Sequence, residues 1–269
     1  MGEYLDAAVD IALRAGRLIK DMSREVLSVT LKGEVDLVTQ VDVMSETLIV
    51  DALKTRFPDH GTLAEERGST QATSDYIWII DPLDGTTNYA HGFPVYAVSI
   101  GLEYKGEVIV GVVYDPNLDE LFTAEKGKGA FLNNEPVRVS KVSELNKSLL
   151  ATGFPYYFRK DPERIIKYFT DFSLEAQGIR RAGAATIDLT ALACGRFDGY
   201  WELGLKPWDM AAGTLIAGEA GAKITRLDGG AFDIRVPEIL ATNDLIHDQM
   251  LKIIGKNTEA RSQEPEEKE

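Results

Sequence analysis

Trp78-Ile79-Ile80-Asp81-Pro82-Leu83-Asp84-Gly85-Thr86-Thr87-Asn88-Tyr89 decides how this chain reads. With Tyr76 and Ile77 ahead of it, the apolar run is β-branched and aromatic, which predicts a buried strand with two aspartates where it emerges. Carboxylates held that close repel one another, and the natural remedy is a hard divalent cation such as Mg²⁺, which selects carboxylate oxygens. Pro82 has no N–H and a fixed φ, so it is expected to end the strand, stiffen the turn and free the Leu83 carbonyl as a further oxygen ligand. Gly85-Thr86-Thr87 offers backbone N–H groups at a helix start, which places an anion site beside a metal site. An isolated Asp-x-x-Asp reads equally well as a turn in which Asp accepts local backbone hydrogen bonds. A sharper rival is the Asp-x-Asp-Gly-Thr of phosphatases that use an aspartyl nucleophile. The spacing here, Asp-Pro-Leu-Asp-Gly-Thr, is longer and points to metal-held carboxylates instead.

Composition frames that motif. At 269 residues and 44% hydrophobic content the chain can fill one large domain or two intimately packed lobes. No apolar run approaches the roughly 20 residues of a membrane span, and residues 1–20 are acidic and amphipathic rather than a signal peptide, so a cytoplasmic protein is expected. Cys194 is the only cysteine, so no intrachain disulfide is possible, and its Leu-Ala-Cys-Gly setting suggests a small buried hydrophobe. The net charge of −14 argues against direct nucleic-acid binding. It does not argue against phosphate substrates, because bound cations invert the sign of an acidic pocket. With 3 histidines and 1 cysteine in the chain, an all-oxygen site for Mg²⁺ or Mn²⁺ is favoured over zinc.

Outward from the motif, residues 3–26 place Leu5, Val9, Ala12, Leu13, Gly16 and Ile19 at helical spacing, and a second helix is predicted over 42–57, stopped by Pro58. A hairpin is expected around Lys105-Gly106, with further strands near 121–123 and 137–139. From about residue 148 strands alternate with helices: strands at 148–152, 178–181, 197–202, 223–225 and 239–241, helices at 161–175, 184–195, 208–220 and from 245. The reading is an N-terminal α+β lobe over 1–145, a C-terminal α/β lobe over 146–257 and an acidic, disordered tail over 258–269.

Several stretches in fixed order resemble the inositol monophosphatase family. Residues 78–91 match its first signature and Trp208-Asp209-Met210-Ala211-Ala212-Gly213 its second. Supporting matches are Asp36-Leu37-Val38-Thr39-Gln40-Val41-Asp42, Ala64-Glu65-Glu66, Gly127-Lys128-Gly129-Ala130-Phe131 and Gly183-Ala184-Ala185. The resemblance runs to about Ile254 and implies a layered α-β-α-β-α sandwich of the sugar-phosphatase type, with the site between two closely packed lobes.

The resemblance further implies metal ligation by Glu65, Asp81, the Leu83 carbonyl, Asp84 and Asp209, with two or three Mg²⁺ ions and Mn²⁺ able to substitute. It implies that Thr86 and Glu65 position and deprotonate the attacking water, with Asp42 behind Thr86. Phosphate oxygens are expected at the backbone N–H groups of Gly85 and Thr86, with Asp84 and Asp209 also against the substrate; the alcohol half is expected at Gly183, Ala184, Ala185 and Glu202, with Arg180 and Arg181 in reach of a second phosphate. Ordinary structural roles compete for several of these. Asp42 and Asp209 each precede a helix as an N-cap would, Glu65 lies in a polar turn, and Glu202 sits on an alternating strand. Lys32 lies in a segment expected to be mobile and to shape the site. The implied activity is Mg²⁺-dependent, lithium-sensitive hydrolysis of myo-inositol 1-phosphate by a homodimer. Fructose 1,6-bisphosphatase activity, alone or in addition, histidinol phosphatase activity and a regulatory role with the transcription machinery are the alternatives within the resemblance.

Overall fold

The computed structural model describes residues 2–23, 29–31, 37–70, 73–155, 157–160 and 162–261. Helix α1 (Glu3–Met22) buries Leu5, Ala8, Ile11, Ala12, Ala15 and Ile19 along one face, as the 3.6-residue spacing predicts. Strands β1 (Val29–Leu31) and β2 (Leu37–Thr39) pair as a small antiparallel ribbon ahead of α2 (Gln40–Arg56). Then come β3 (Gly61–Ala64), β4 (Gly68–Ser69), β5 (Tyr76–Asp84), the short helix α3 (Thr86–Ala90), β6 (Ala97–Tyr104), β7 (Glu107–Asp115), β8 (Glu120–Glu125), β9 (Ala130–Leu132) and β10 (Glu135–Pro136). The second half runs β11 (Leu149–Thr152), α4 (Pro162–Glu175), β12 (Gly178–Arg180), α5 (Ala185–Ala193), β13 (Gly199–Leu203), α6 (Pro207–Glu219), β14 (Lys223–Thr225), β15 (Glu238–Thr242) and α7 (His247–Arg261).

One sheet orders its strands β10-β9-β8-β7-β6-β5-β3-β4, antiparallel except where β3 runs parallel to β5; the other is β12-β11-β13-β15-β14, parallel on one side of β13 and antiparallel on the other. The expected hairpin is present, and Lys105 and Gly106 both take positive φ (53° and 84°), the conformation that a tight two-residue hairpin turn demands. Buried clusters then reveal the layers. Helices α1 and α2 cover one face of the large sheet; α5 and α6 lie between the two sheets; α4 and α7 cover the outer face of the small one. This is the expected α-β-α-β-α sandwich.

The middle layer is held unusually close. Gly101 and Gly111 are cross-strand partners, and a Cβ on Gly111 would sit 2.7 Å from the Ala212 carbonyl oxygen, so α6 rests its backbone on a two-glycine patch. Glu219, at the far end of α6, accepts the backbone N–H groups of Gly127 (2.7 Å) and Gly129 (2.8 Å). The Gly-Lys-Gly stretch singled out in the sequence therefore docks this helix. Arg235 grips Glu103 of β6 through two hydrogen bonds (2.9 and 2.8 Å), tying the late chain to the large sheet.

Several expectations need correction. Pro82 does not end β5, which continues to Asp84. Residues 137–139 are not a strand: Val137 donates to Ala130 and Val139 to Ala220, two different partners rather than one ladder. Helix α1 ends at Met22, and α7 continues through Arg261, past the expected tail boundary at 258. Residues 262–269 and Lys32 lie outside the described residues. Among the described residues no helix is long and apolar enough to cross a membrane.

Candidate active site

In a regular strand Asp81 and Asp84 would face opposite sides of the sheet. The pairing of β5 with β6 shifts between Asp81↔Ser99 and Asp84↔Ala97, and this irregularity at Pro82 and Leu83 turns both aspartates to one side. Pro82, with no N–H to donate, suits the break in the ladder. Asp81 Oδ1 accepts the Leu83 N–H at 3.0 Å, which stiffens the bend. Gly85 follows in the left-handed region (φ 94°), with Val95 O only 2.7 Å from where a Cβ would be, so no other residue fits the turn into α3.

Two further aspartates reach the site from helix first turns, and neither is an N-cap. Both Asp42 in α2 and Asp209 in α6 are the third helical residue and reach back to the N–H of the residue preceding the helix: Asp42 Oδ2 to Thr39 (2.8 Å), Asp209 Oδ2 to Lys206 (2.7 Å). Each keeps its second oxygen for other work. Asp42 Oδ1 accepts from Thr86 Oγ1 at 2.8 Å, and the same hydroxyl lies 3.0 Å from the Leu83 carbonyl.

The opposite wall comes from the second half of the chain. Asp84 Oδ2 accepts the Thr186 N–H (2.7 Å) and hydroxyl (2.6 Å), so a carboxylate of the large sheet caps the start of α5. Asn88 Nδ2 donates to Val95 O (2.8 Å) and Ala182 O (2.9 Å), bracing the loop that carries Gly183. On β13, Tyr200 donates to Glu202 Oε2 at 2.6 Å, and the Glu202 carboxylate folds over Gly153, where a Cβ would collide with it. The Arg181 guanidinium stands 5.8 Å above the Phe154 ring at the pocket edge.

Glu65, Asp81, Leu83, Asp84, Gly85, Thr86, Arg181, Gly183, Ala184, Ala185, Glu202 and Asp209 all line one pocket, which the polar loop after β3, the end of β5, α5, β13 and α6 enclose. Asp42 sits one row behind, reached through Thr86. Arg180, which the sequence coupled with Arg181, is not in the lining; Lys206 is. Sequence reasoning missed Thr186, Gly153, Phe154 and Lys206, because nothing local to any of them signals a partner far along the chain.

Electrostatically the pocket is under strain. Burial, then Glu65, Asp84 and Asp209, push the Asp81 carboxyl well above its ordinary range. Asp209 is driven up by burial and by Asp84, with Lys206 N–H opposing. Burial raises Asp84 to about 6 against the pull of the Thr186 donors, and Glu202 to about 7 against its Tyr200 hydrogen bond. Among the described residues no three His, Cys, Asp or Glu side chains close into a preassembled cage. The donor set nonetheless fits a hard divalent cation: oxygens only, several of them buried carboxylates that a positive charge placed among them would hold in the ionised form.

The chain and its fold are similar to known proteins. The profile of the inositol monophosphatase family matches residues 1–259. An inositol-1-monophosphatase of Synechocystis is 45% identical over 254 residues, covering 94% of this chain and 88% of that protein. The Nus factor SuhB of Vibrio cholerae is 44% identical over 246 residues, 90% of this chain and 92% of that one. In three dimensions the extragenic suppressor protein suhB of Bartonella henselae superposes with a TM-score of 0.92 at 40% identity, covering 95% of this chain and 99% of the other. A more distant structure, an IMPase/NADP phosphatase complexed with Mg²⁺ and phosphate, matches with a TM-score of 0.81 at 28% identity over 93% of this chain and 95% of that one. With the sandwich, the bent acidic strand and the helix-borne aspartates all in place, this chain belongs to the inositol monophosphatase family, whose members are metal-dependent phosphoric monoester hydrolases.

Proposed function

We propose that the protein hydrolyses myo-inositol 1-phosphate to inositol and phosphate, with Glu65, Asp81, the Leu83 carbonyl, Asp84 and Asp209 holding Mg²⁺. The observation that carries the reading is the convergence of four carboxylates, from the polar loop, β5 and α6, on one pocket where three of them raise the pKa of the fourth. Bound there, Mg²⁺ supplies the positive charge that activates water and stabilises the departing alkoxide. The chain's own groups do the rest. Thr86 directs its proton at Asp42 Oδ1, which leaves an oxygen lone pair to accept a hydrogen bond from the attacking water and orient it, and the Glu65 carboxylate in the same pocket takes the proton that the water gives up. The N–H groups of Gly85 and Thr86 receive phosphate oxygens, and Glu202 faces the hydroxyls of the polyol. No covalent phosphoenzyme forms, since the aspartates are committed to the metal.

Arg181 and Lys206 in the lining favour a second substrate, fructose 1,6-bisphosphate, because they give the pocket cations for a second phosphate. Similarity to a protein named as a Nus factor supports a further role with the transcription machinery. A cytoplasmic, lithium-sensitive homodimer completes the reading on family grounds.

The test is Mg²⁺-dependent phosphate release from myo-inositol 1-phosphate and fructose 1,6-bisphosphate in parallel, with Asp84→Asn as the blank. Turnover abolished in the variant supports the reading. No turnover of either by folded, Mg²⁺-supplied protein overturns the substrate assignment and moves histidinol phosphate or the regulatory role forward.

A further inference from the structure

A helix laid against a sheet ordinarily buries apolar residues, yet α2 turns three polar ones inward. Asp42, Ser45 and Glu46 each have 0% exposed surface, and their i, i+3, i+4 spacing stacks them on one face. Each leaves the helix for a different segment that carries pocket-lining residues. Asp42 takes the Thr86 hydroxyl, Ser45 donates to the Pro82 carbonyl at 2.8 Å, and Glu46 Oε2 accepts the backbone N–H of Glu66 at 2.7 Å. Arg67 closes over the same carboxylate, its Nε 3.6 Å from Glu46 Oε1, while its Nη2 donates to Thr47 of the helix at 2.5 Å.

Glu46 itself lies outside the pocket lining, while Glu65, the residue before its hydrogen-bond donor, lies in it. A buried carboxylate is costly unless it is hydrogen-bonded and paired, so its retention on this face calls for a use. We propose that Glu46 is a positioning residue for Glu65: by holding the next N–H against the helix that also holds Thr86 and Pro82, it sets the Glu65 carboxylate relative to Asp81 and Asp84. Helix α2 thereby acts as a common ruler for the water-handling hydroxyl, the bend of β5 and the polar loop. The inference rests on the reading of Glu65 as a metal-holding residue.

Two substitutions separate reach from charge. Glu46→Gln keeps the length of the side chain and a carbonyl that accepts from Glu66 N–H, but loses the charge facing Arg67. Glu46→Asp keeps the charge and loses the reach. Mg²⁺ binding to metal-free full-length protein, measured by isothermal titration calorimetry, is read beside thermal unfolding in chelator and Mg²⁺-dependent phosphate release. Positioning predicts that Gln stays within about threefold of wild-type affinity while Asp weakens it by about 10- to 100-fold, the range that orienting partners of metal ligands command. The reverse order, or two variants that shift only the unfolding temperature, overturns the inference and leaves Glu46 as a partner of Arg67. Wild-type protein that binds no Mg²⁺ removes the metal reading itself, and the inference with it.

Discussion

Asp84 and Thr186 lie 102 positions apart in sequence and are joined twice: the Thr186 N–H and hydroxyl both donate to Asp84 Oδ2, at 2.7 and 2.6 Å. One carboxylate thus binds the large sheet to the middle helical layer while facing the pocket. Burial alone drives its pKa up, and these donors pull it back toward the ionised form that a cation needs. Thr186→Val keeps the shape and the N–H but removes the hydroxyl. A hydrogen bond to a charged group contributes about 1.5–3 kcal/mol, so the Mg²⁺ requirement for phosphate release is expected to rise by about tenfold or more, with Thr186→Ser restoring it. Unchanged Mg²⁺ dependence in the valine variant would show that the backbone N–H suffices.

Glu202 is held by Tyr200 on one side and by the absence of a side chain at Gly153 on the other. Tyr200→Phe releases the carboxylate, and Gly153→Ala drives it out of its seat. Both are expected to raise KM for myo-inositol 1-phosphate by about tenfold, on the same hydrogen-bond scale, while leaving p-nitrophenyl phosphate, which has no ring hydroxyls, nearly unaffected. Equal losses on the two substrates would place the effect on the phosphate side instead.

The seat of α6 is a steric matter. A Cβ at Gly111 meets backbone atoms of Ala212, the carbonyl oxygen at 2.7 Å and Cα at 3.2 Å, so the helix rather than a flexible side chain must move. Gly111→Ala is expected to destabilise by about 1–3 kcal/mol, with roughly 2–4 °C lost in Tm for each kcal/mol. Because Asp209 opens the same helix, activity should fall even in folded protein at low temperature. A variant with wild-type Tm would mean that the sheet, not α6, defines the spacing.

His247 is fully buried, and its partners fix its tautomer. Thr225 donates its own proton to Arg226 O, so it accepts from Nε2–H; Thr242 accepts from Asp244 N–H and donates to Nδ1. Burial, with Lys223 nearby, lowers the pKa of this neutral ring. The unfolded chain therefore binds the proton more readily. The stabilisation is fully present above the unfolded pKa of about 6.5 and is lost as pH falls below it, by up to about 1.4 kcal/mol per unit. The stability advantage of wild type over His247→Gln should narrow between pH 7.5 and pH 5, measured by denaturant unfolding; a constant gap would mean that the ring is not neutral when folded.

Much of this protein is local information. The apolar run into Asp81-Pro82-Leu83-Asp84-Gly85-Thr86 is strand, bend and helix start in one short stretch, because Pro, Gly and paired acids each restrict the backbone or the charge balance where they stand. Periodicity alone likewise places α1, the Lys105-Gly106 hairpin and the alternation of the second half. Asp42 and Asp209 were legible as helix-start residues, but not as third-position residues reaching backward, since the choice turns on which oxygen another segment takes.

Which surfaces meet is settled by three-dimensional packing alone. That α5 and α6 fill the space between two sheets, that Gly101 and Gly111 form the bed for α6, and that Thr186, Gly153 and Glu46 support carboxylates or loops from elsewhere in the chain are relations between distant segments. A sequence pattern specifies which face of an element is apolar. It does not specify the partner, because burial is non-directional, whereas a hydrogen bond or a close backbone approach is settled only when both sides are in place.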